Sequence, residues 1–443
     1  MTTHPWSPKL LTELPGPRAR EVIELSQNHE PGSMSDQAPL VWQRAEGAVI
    51  TDVDGNQFLD FCSGVLVTNV GHCHPYYVQE VQAQAAELFN CYDFPNPWRA
   101  KLAHKLVEMT QPQLDRAFIL TTGSETVEAA LKMARRASRG YEFVSFHGGF
   151  HGRTYGAMSV GGIAGVKRGF GPLLSGCIQA PFCYCYRCPF GKQFPDCNHY
   201  CLEHLDWVVS RESTGELCAL ITEPYQGAAG SIIPPPGYME KLQQWCRERD
   251  VLLILDEVQS SFGRTGKMFA YEHYDIEPDL LCLGKGLGSG VPCSAVLGRS
   301  KIMNALGPGE MSSTNGGNPL ACRAALAAIK IIEDEGLVEN SAKVGAAMLE
   351  RLEDMKQRFE CIGDVRGQGL VIGIETVTDK ESKTPAPKLS KSIILQAFHR
   401  GLAMIAPIGL FGNVIRIAPP LVLMPEQADR GLDLLEAAIA AAQ

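Results

Sequence analysis

The sequence predicts an α/β fold with a large, mostly parallel sheet and a smaller α+β domain. Its 443 residues exceed the roughly 100–200 residues of a typical single domain, so we expect two domains. Between about residues 100 and 300, short apolar runs alternate with helical patterns. These runs lack polar alternation, which is typical of parallel strands covered by helices on both faces. The candidate strands are Ala117–Leu120, Phe143–Phe146, Ala219–Thr222, Val251–Leu255 and Leu280–Leu283.

The elements on either side of this region have a different character. From about residue 40 the pattern predicts short strands joined by turns, with Asp54-Gly55 as a hairpin turn. After the strand ending at Leu120, apolar residues recur at helical spacing: Val127, Ala130, Leu131 and Ala134.

Beyond Asn318-Pro319, long helical patterns run toward Gly336 and from about residue 338 to 359. A strand in GLVIGIETV, a helix from Leu389, a strand at Val414–Ile417 and a final helix follow. We therefore expect residues 1–60 to be an N-terminal segment of the small domain, 61–325 the large domain, and 326–443 the C-terminal part of the small domain.

Composition excludes several classes of protein. The formal net charge is -9, whereas a dedicated nucleic-acid binder needs a basic surface. No stretch approaches the roughly 20 apolar residues that span a bilayer, and the first residues lack the apolar core of a secretory signal. We therefore expect a cytoplasmic protein without membrane or nucleic-acid partners, and mostly reduced cysteines.

Two motifs place chemically active side chains at the ends of candidate strands. Asp256 follows an apolar strand, where a carboxylate can hold a proton on a ligand nitrogen or bind a metal. Lys285 lies 29 residues further on between glycines, where a desolvated amine can form a Schiff base. Their separation matches one strand–helix–strand unit, so both could reach the same crevice. The alternatives are a helix-capping or turn aspartate and a solvated loop lysine.

Two further motifs also follow strands. Thr121-Thr122-Gly123-Ser124-Glu125 precedes a helix, where backbone N–H groups and hydroxyls can bind a phosphate. The alternative there is an ordinary N-cap with a capping-box glutamate. In the second motif, Phe150 could stack on a flat ring, and His151 could be either a polar handle or a satisfied core histidine.

Taken together, these motifs resemble the class III aminotransferases, pyridoxal 5'-phosphate (PLP) enzymes of fold-type I. The similarity covers nearly the whole chain and lies in an ordered set of segments. They are DGNQFLDFCSG at 54–64, GHCHP at 71–75, TTGSETVEAALKMAR at 121–135, FHG at 150–152, EPYQG at 223–227, LILDEVQSSFGRTGKMFA at 253–270, GKGLGSG at 284–290, TNGGNPLAC at 314–322, and VRGQGL with RIAPPL near the end.

The resemblance implies how the cofactor would be held. Lys285 would carry PLP as a Schiff base and act as the catalytic acid–base. Asp256 would pair with the pyridine nitrogen, and Gly123 and Ser124 would bind the phosphate. Phe150 would stack on the ring.

It also implies three further contacts. Gln259 would hydrogen-bond the phenolic oxygen, and Thr314 would reach the phosphate from a neighbouring subunit. That role for Thr314 implies a homodimer, with a tetramer left open. Arg416 would bind the substrate carboxylate. Its alternative is a surface strand residue.

The resemblance favours amino transfer from an ω- or α-amino acid to an oxo acid such as pyruvate or 2-oxoglutarate. Glu223 would let one pocket take both kinds of donor by pairing with Arg416; alternatively it only supports the cofactor region. Some stretches are also similar to 2,2-dialkylglycine decarboxylase, but Val65 replaces the glutamine that would act on the departing carboxylate. A racemase or epimerase on the same scaffold remains an alternative. The sequence leaves the donor, the acceptor and the choice among these reactions open.

The cysteines form the least explained feature. Six of the 15 lie between Cys177 and Cys201, in and around an aromatic insertion between family motifs. Cys185, Cys188, Cys197 and Cys201 have roughly the spacing of a structural zinc site, with His199 and His204 as additional candidates. The interpretation that we prefer is a loop packed by reduced cysteines, with no metal in the catalytic site.

Overall fold

A computed structural model describes residues 6–34 and 36–443 of the chain. The chain divides into two compact units. Unit 1 comprises the described residues up to 75 together with 263–266 and 332–443, and unit 2 comprises 76–262 and 267–331. None of the helices among the described residues is long and apolar enough to cross a membrane.

The regular elements are as follows. The strands are β1 (Trp42–Glu46), β2 (Val49–Asp52), β3 (Gln57–Asp60), β4 (Arg116–Leu120), β5 (Glu142–Phe146), β6 (Cys177–Ala180), β7 (Leu217–Thr222), β8 (Leu252–Asp256), β9 (Leu280–Leu283), β10 (Ser294–Gly298), β11 (Ile362–Gln368), β12 (Val371–Thr376), β13 (Leu402–Ala403) and β14 (Val414–Ile417). The α-helices are α1 (Pro17–His29), α2 (Ser63–Leu66), α3 (Pro75–Ala85), α4 (Pro97–Met109), α5 (Gly123–Ser138), α6 (Tyr155–Val160), α7 (Ala164–Lys167), α8 (Tyr200–Glu212), α9 (Tyr238–Glu248), α10 (Ser300–Met303), α11 (Pro319–Asp334), α12 (Leu337–Arg358), α13 (Pro387–Phe398) and α14 (Pro425–Ala442). Short 3₁₀ helices span Cys185–Arg187, Ala270–His273 and Lys285–Leu287.

Unit 2 is built on a seven-stranded sheet in the order β4-β10-β9-β8-β7-β5-β6. The neighbours from β9 to β6 are all parallel, whereas β10 runs antiparallel to both β9 and β4. Strands β4, β5, β7, β8 and β9 therefore end at the same edge of the sheet. In such a sheet, the carboxyl edge is where ligand-binding residues gather.

The core of unit 2 follows the predicted pattern. The α5 residues at helical spacing, Val127, Ala130, Leu131 and Ala134, are all buried in one apolar cluster with residues of the sheet. All five candidate strands are present, which confirms the predicted α/β fold. The sequence analysis missed β6, which forms one edge of the sheet, and β10, which lies between β4 and β9.

Unit 1 contains two smaller sheets, with orders β1-β2-β3-β13 and β11-β12-β14. The predicted hairpin turn lies between β2 and β3, and Gly55 adopts φ 89° there, a conformation that favours glycine. Phe58 of β3 stacks on Phe398 of α13 with ring centroids 5.6 Å apart. Both termini of the described chain thus contribute to this α+β unit.

A fully buried arginine organises part of unit 1. The Arg264 guanidinium donates to the carbonyls of Leu370 (2.9 Å) and Pro419 (2.5 Å), and to Asn69 Oδ1 (2.7 Å). These acceptors lie far apart in sequence, so one side chain ties several segments of the unit together. A buried cation is stable only when its donors are satisfied in this way.

Candidate active site

Five parallel strands bring the predicted site residues to one edge of the unit 2 sheet. Gly123 follows β4, Phe150 follows β5, Glu223 follows β7, Asp256 ends β8, and Lys285 follows β9. Because β9, β8, β7 and β5 are consecutive neighbours, four of these residues come from adjacent strands.

Asp256 is buried and held by two hydrogen bonds. Its Oδ2 lies 2.8 Å from His151 Nδ1, and its Oδ1 accepts from the Val258 backbone N–H at 3.0 Å. Asp256 and His151 are only 5% and 4% exposed. Each carboxylate oxygen keeps a second lone pair, so Asp256 can also accept a proton-bearing ligand nitrogen.

The helix start at α5 has the capping box that one interpretation of the TTGSE motif predicts. Thr122 caps the helix and forms a reciprocal capping box with Glu125. The Gly123 and Ser124 amides lie in the first helical turn, where N–H groups face outward and can bind an anion. Ser124 Oγ accepts from the Arg153 N–H at 3.1 Å, so its own hydroxyl hydrogen can donate.

Glycines keep this helix start close to the neighbouring strand ends. A Cβ on Gly123 would lie 2.7 Å from Val258 Cγ1, and one on Gly152 would lie 2.4 Å from Ser124 Oγ. Any side chain at these two positions would displace either the helix start or Ser124. The close approach therefore depends on glycine at both positions.

Gln259 lies against a third glycine. Tyr225 Oη donates to Gln259 Oε1 at 3.3 Å, which leaves the amide Nε2 to donate to an anionic oxygen. A Cβ on Gly227 would lie only 1.7 Å from Gln259 Oε1. Gly227 and Tyr225 thus fix the position of the Gln259 amide.

Glu223 binds backbone rather than side chains of unit 2. Its Oε1 accepts from the Phe150 N–H at 3.0 Å, and its Oε2 accepts from the Gly227 N–H at 2.9 Å. Burial raises the pKa of Glu223 to about 7, although the nearby His151 and the two amide donors oppose the increase. Glu223 therefore links the loop that carries Phe150 to the loop that supports Gln259.

Lys285 begins a 3₁₀ turn directly after β9. Its backbone adopts φ 43°, in the left-handed region that non-glycine residues seldom occupy. Such conformations often occur at functional sites, where the surrounding structure compensates for their cost. The side chain is half-buried, and Gly284 before it lies close to Val258, which follows Asp256 by two residues.

The last two predicted residues lie outside this group. Thr314 is exposed on a loop of unit 2, and its carbonyl accepts from Asn90 Nδ2 at 3.0 Å. Arg416 belongs to unit 1, where it lies on β14 paired with Gly373 of β12 and is 4% exposed. The surface interpretation of Arg416 is therefore wrong.

Comparisons with known proteins identify the family. The family model for "Aminotransferase class-III" matches residues 32–439. The chain is 38% identical to an alanine/serine racemase of Pyrococcus horikoshii over 442 residues, covering 98% of this chain and 92% of that protein. It is 36% identical to a 4-aminobutyrate aminotransferase of Mycobacterium leprae over 441 residues, covering 98% of each. A PLP-bound amine transaminase from an uncultivated Pseudomonas species matches with a TM-score of 0.88 at 34% identity, covering 93% of this chain and 98% of that chain.

The chain belongs to the class-III aminotransferases. The family is PLP-dependent, so PLP is the cofactor of this class-III aminotransferase. The predicted family, fold type, enzyme class and cofactor are thereby confirmed.

The residues at the sheet edge fit this cofactor. A helix N-terminus with a serine hydroxyl suits a phosphate, a buried carboxylate suits a protonated pyridine nitrogen, and a half-buried lysine suits an aldehyde carbon. The glycines Gly123, Gly152 and Gly227 keep the surrounding backbone close, where a Cβ would collide with a neighbour.

The sequence analysis missed two supporting residues of this aminotransferase. It left His151 between two interpretations, and the structure shows that it is a buried partner of Asp256. Both residues lie at strand ends of one parallel sheet, but β7 separates their strands, so their contact could not be predicted from the sequence alone. Tyr225 was not considered, since nothing in its spacing connects it to Gln259.

The cysteine-rich region differs in one respect from its description in the sequence analysis. Cys177 lies on β6, so five cysteines rather than six belong to the insertion itself. Within residues 6–34 and 36–443, no group of three or more His, Cys, Asp or Glu side chains is arranged to hold a metal ion. All 15 cysteines are free thiols.

Proposed function

We propose that this class-III aminotransferase moves an amino group from an ω- or α-amino acid to an oxo acid such as pyruvate or 2-oxoglutarate. The observation that carries the proposal is the placement of Lys285 and Asp256 at the ends of adjacent parallel strands, β9 and β8. A lysine that can bond to an aldehyde and a carboxylate that can hold a pyridine nitrogen are the two groups that this chemistry requires.

The proposed cofactor contacts use the residues at the sheet edge. Gly123 and Ser124 would hold the phosphate, Asp256 the pyridine nitrogen and Gln259 the phenolic oxygen, while Phe150 would cover one face of the ring. When bound, PLP supplies an electron sink that weakens the bonds to the carbon bearing the amino group. The Lys285 amine would accept the proton from that carbon and deliver it to the cofactor, and the reverse transfer would aminate the oxo acid.

His151 would act as a positioning residue for Asp256. Its ring fixes one carboxylate oxygen at 2.8 Å, while the Val258 amide fixes the other at 3.0 Å. Two bonds from opposite partners leave the carboxylate little freedom to rotate. Asp256 is thus oriented before the cofactor arrives, which lowers the cost of binding.

Two residues are proposed to handle the substrate. Arg416 would bind the substrate carboxylate, because a guanidinium can do so through two parallel hydrogen bonds. Glu223 would mainly hold the Phe150 and Gly227 amides in place, since both of its oxygens already accept from them. Each Glu223 oxygen has a further lone pair, so Glu223 could also accept from Arg416, as its proposed role in substrate binding requires.

We also propose that the enzyme is a homodimer in the cytoplasm. Apolar side chains are exposed in one segment of unit 2: Leu88 44%, Phe89 60%, Tyr92 47% and Phe94 74%. This segment contacts the Thr314 loop through Asn90, which places the apolar side chains beside the residue proposed to reach a neighbouring subunit. A second copy of the chain would cover them. The 15 free thiols support a reducing compartment.

A donor panel tests the reaction. Purified holoenzyme should convert several ω- or α-amino acids in the presence of pyruvate or 2-oxoglutarate, with loss of the bound cofactor's visible absorbance when donor alone is added. Lys285→Ala should lose both the absorbance and the turnover. Turnover retained in Lys285→Ala would contradict the assignment. Carbon dioxide released in step with turnover would instead favour the decarboxylating reaction, which Val65 argues against.

Racemisation is the second candidate function. The specific observation is the 38% identity with the alanine/serine racemase over 98% of this chain. A racemase would return the proton to the same substrate carbon and would need no oxo acid. Incubation of single enantiomers without an oxo acid separates the two: formation of the opposite enantiomer would favour racemisation, and its absence together with oxo-acid-dependent turnover favours amino transfer.

A further inference from the structure

The cysteines of the insertion gather around one small cavity. Cys183, Cys185, Cys188, Cys197 and Cys201 all line a cavity of about 20 Å³, together with aromatic rings and Lys192. This volume is about enough for one water molecule, so the five thiols surround a very small space. Burial, then the nearby Cys197 and Cys188 thiols, raise the pKa of Cys185, which indicates that these sulfurs lie within electrostatic reach of one another.

One pair in this group has the sequence spacing of a single 3₁₀ turn. The 3₁₀ helix spans Cys185–Arg187, and Cys188 is the residue that ends it. Side chains three residues apart eclipse on a 3₁₀ helix, and the rise of about 2 Å per residue separates their Cα atoms by about 6 Å. Disulfides form at Cα separations of roughly 4.4–6.8 Å. Ideal 3₁₀ geometry thus places the Cys185 and Cys188 side chains on the same side at a distance that suits a disulfide.

Exposure distinguishes these two thiols from the deeper ones. Cys185 is exposed and Cys188 is half-buried, whereas Cys183 is buried with 4% exposure. An oxidant in solution would therefore react first with Cys185. Cys188 would then be the neighbouring thiol that attacks the mixed disulfide formed on Cys185. Because burial and the neighbouring thiols raise the pKa of Cys185, its reactive thiolate form is favoured by a rise in pH, and the exchange should become faster as the pH rises.

We propose that Cys185 and Cys188 form a reversible redox modification site, converted to a disulfide by exchange with a small disulfide such as oxidised glutathione. The Cys185 thiolate attacks one glutathione sulfur, forming a mixed disulfide and releasing one glutathione thiolate. The Cys188 thiolate then attacks the Cys185 sulfur, closing the protein disulfide and releasing the second glutathione thiolate. The two protons lost by the cysteines are taken up by the released thiolates, so two thiols are oxidised and one disulfide is reduced.

This site is separate from the amino-transfer chemistry. The insertion follows β6, at the end of the sheet beyond β5, and none of its thiols is among the residues proposed to hold PLP. Phe182 at the start of the insertion packs on Phe146, the last residue of β5, with ring centroids 5.5 Å apart. The test therefore measures the modification itself, and its outcome does not depend on the proposed function.

Peptide mapping of the holoenzyme tests the proposal. The protein is incubated with oxidised glutathione, free thiols are alkylated, and trypsin is added. Because trypsin cleaves after Arg187, a Cys185–Cys188 disulfide joins two different peptides, and fragmentation of the joined pair distinguishes Cys185 from Cys177 and Cys183 in the same peptide. We expect this cross-link, a protein mass lower by two hydrogens, no retained glutathione, and full reversal by a dithiol reductant.

Single variants provide the controls. Cys185→Ser and Cys188→Ser should each prevent the cross-link and leave at most a glutathione adduct. Cys73→Ser removes an exposed thiol in unit 1 and should leave the cross-link unchanged. A stable glutathione adduct on the wild-type protein, a cross-link to Cys183, Cys197 or Cys201, or no reaction at Cys185 would overturn the proposal. Stoichiometric zinc bound to these thiols in the purified protein would overturn it as well, and the wild-type map decides the matter even if a variant fails to fold.

Discussion

Replacing Gly227 with alanine perturbs the cofactor site through a single contact. The new Cβ would lie 1.7 Å from Gln259 Oε1 and 2.5 Å from its Cδ, whereas real Cβ contacts are essentially never below 3.0 Å. Gln259 Oε1 must therefore move by at least about 1.3 Å. The Gly227 N–H bond to Glu223 uses the backbone and can persist, so the change acts mainly on the Gln259 amide.

The expected magnitude follows from the bond that is lost. In the proposed site the Gln259 Nε2 donates to the phenolic oxygen of PLP, and a hydrogen bond to a charged group contributes about 1.5–3 kcal/mol. Losing it should weaken PLP binding between about 10-fold and about 150-fold. Gln259→Ala should have a similar effect, because both changes remove the same donor.

PLP titration of the apoenzyme, followed by the cofactor's absorbance, measures this effect. Gly165→Ala is the matched control, since a Cβ at Gly165 has no heavy atom within 4 Å; it should bind PLP like the wild type. In the Gln259→Ala background, Gly227→Ala should add little, because the two substitutions share one mechanism. Unchanged PLP affinity in Gly227→Ala, or fully additive losses in the double variant, would refute the assignment of Gln259.

Three further predictions concern stability and substrate binding. Burial raises the pKa of Glu257 from 4.5 to about 7, so the folded protein favours the neutral carboxyl. The stability of the wild type relative to Glu257→Gln should therefore be greatest below pH 4.5 and should fall by about 3 kcal/mol as the pH rises to 7 and above. A difference in unfolding free energy that does not change with pH, measured by urea unfolding, would contradict this. Arg264→Met leaves three or more buried acceptors unpaired and should lower the unfolding free energy by at least about 3 kcal/mol. The control Arg139→Met, at an exposed position, should lower it by no more than about 0.5 kcal/mol. Arg416→Lys keeps the charge but loses the two-pronged donor, so the KM for carboxylate-bearing donors should rise about 10-fold with a smaller change in kcat, and an unchanged KM would exclude the proposed role.

The sequence predicted the parts of the fold that depend on local pattern. Strands β9 and β14 were predicted with their observed bounds, and β4, β5, β7 and β8 to within two residues, because apolar runs and turn residues mark them. The missed strands lack that signal. Strand β10 (SAVLG) carries a serine and a glycine and is followed by a short helix, and β6 (CIQA) contains a glutamine. Their place in the sheet depends on pairing with distant strands, which no local pattern encodes.

In the candidate site, too, some features follow from local sequence pattern and others depend on contacts between distant segments. Asp256 and Lys285 could be predicted because strand ends in a parallel sheet converge. The contact of His151 with Asp256 requires the strand order, since β7 lies between β5 and β8 in the sheet. The hydrogen bonds of Arg264 join chain segments more than 100 residues apart, and the sequence positions of its partners do not predict them. These contacts are products of tertiary packing.

The most direct test of the account is to locate the covalently held cofactor. Borohydride reduction of the holoenzyme fixes a lysine–PLP bond permanently, and peptide mapping then identifies the modified residue. We predict one modified lysine per chain, at Lys285, and no modification in Lys285→Ala. Cofactor attached to any other lysine, or none attached to the wild-type protein after reconstitution with PLP, would contradict the central claim.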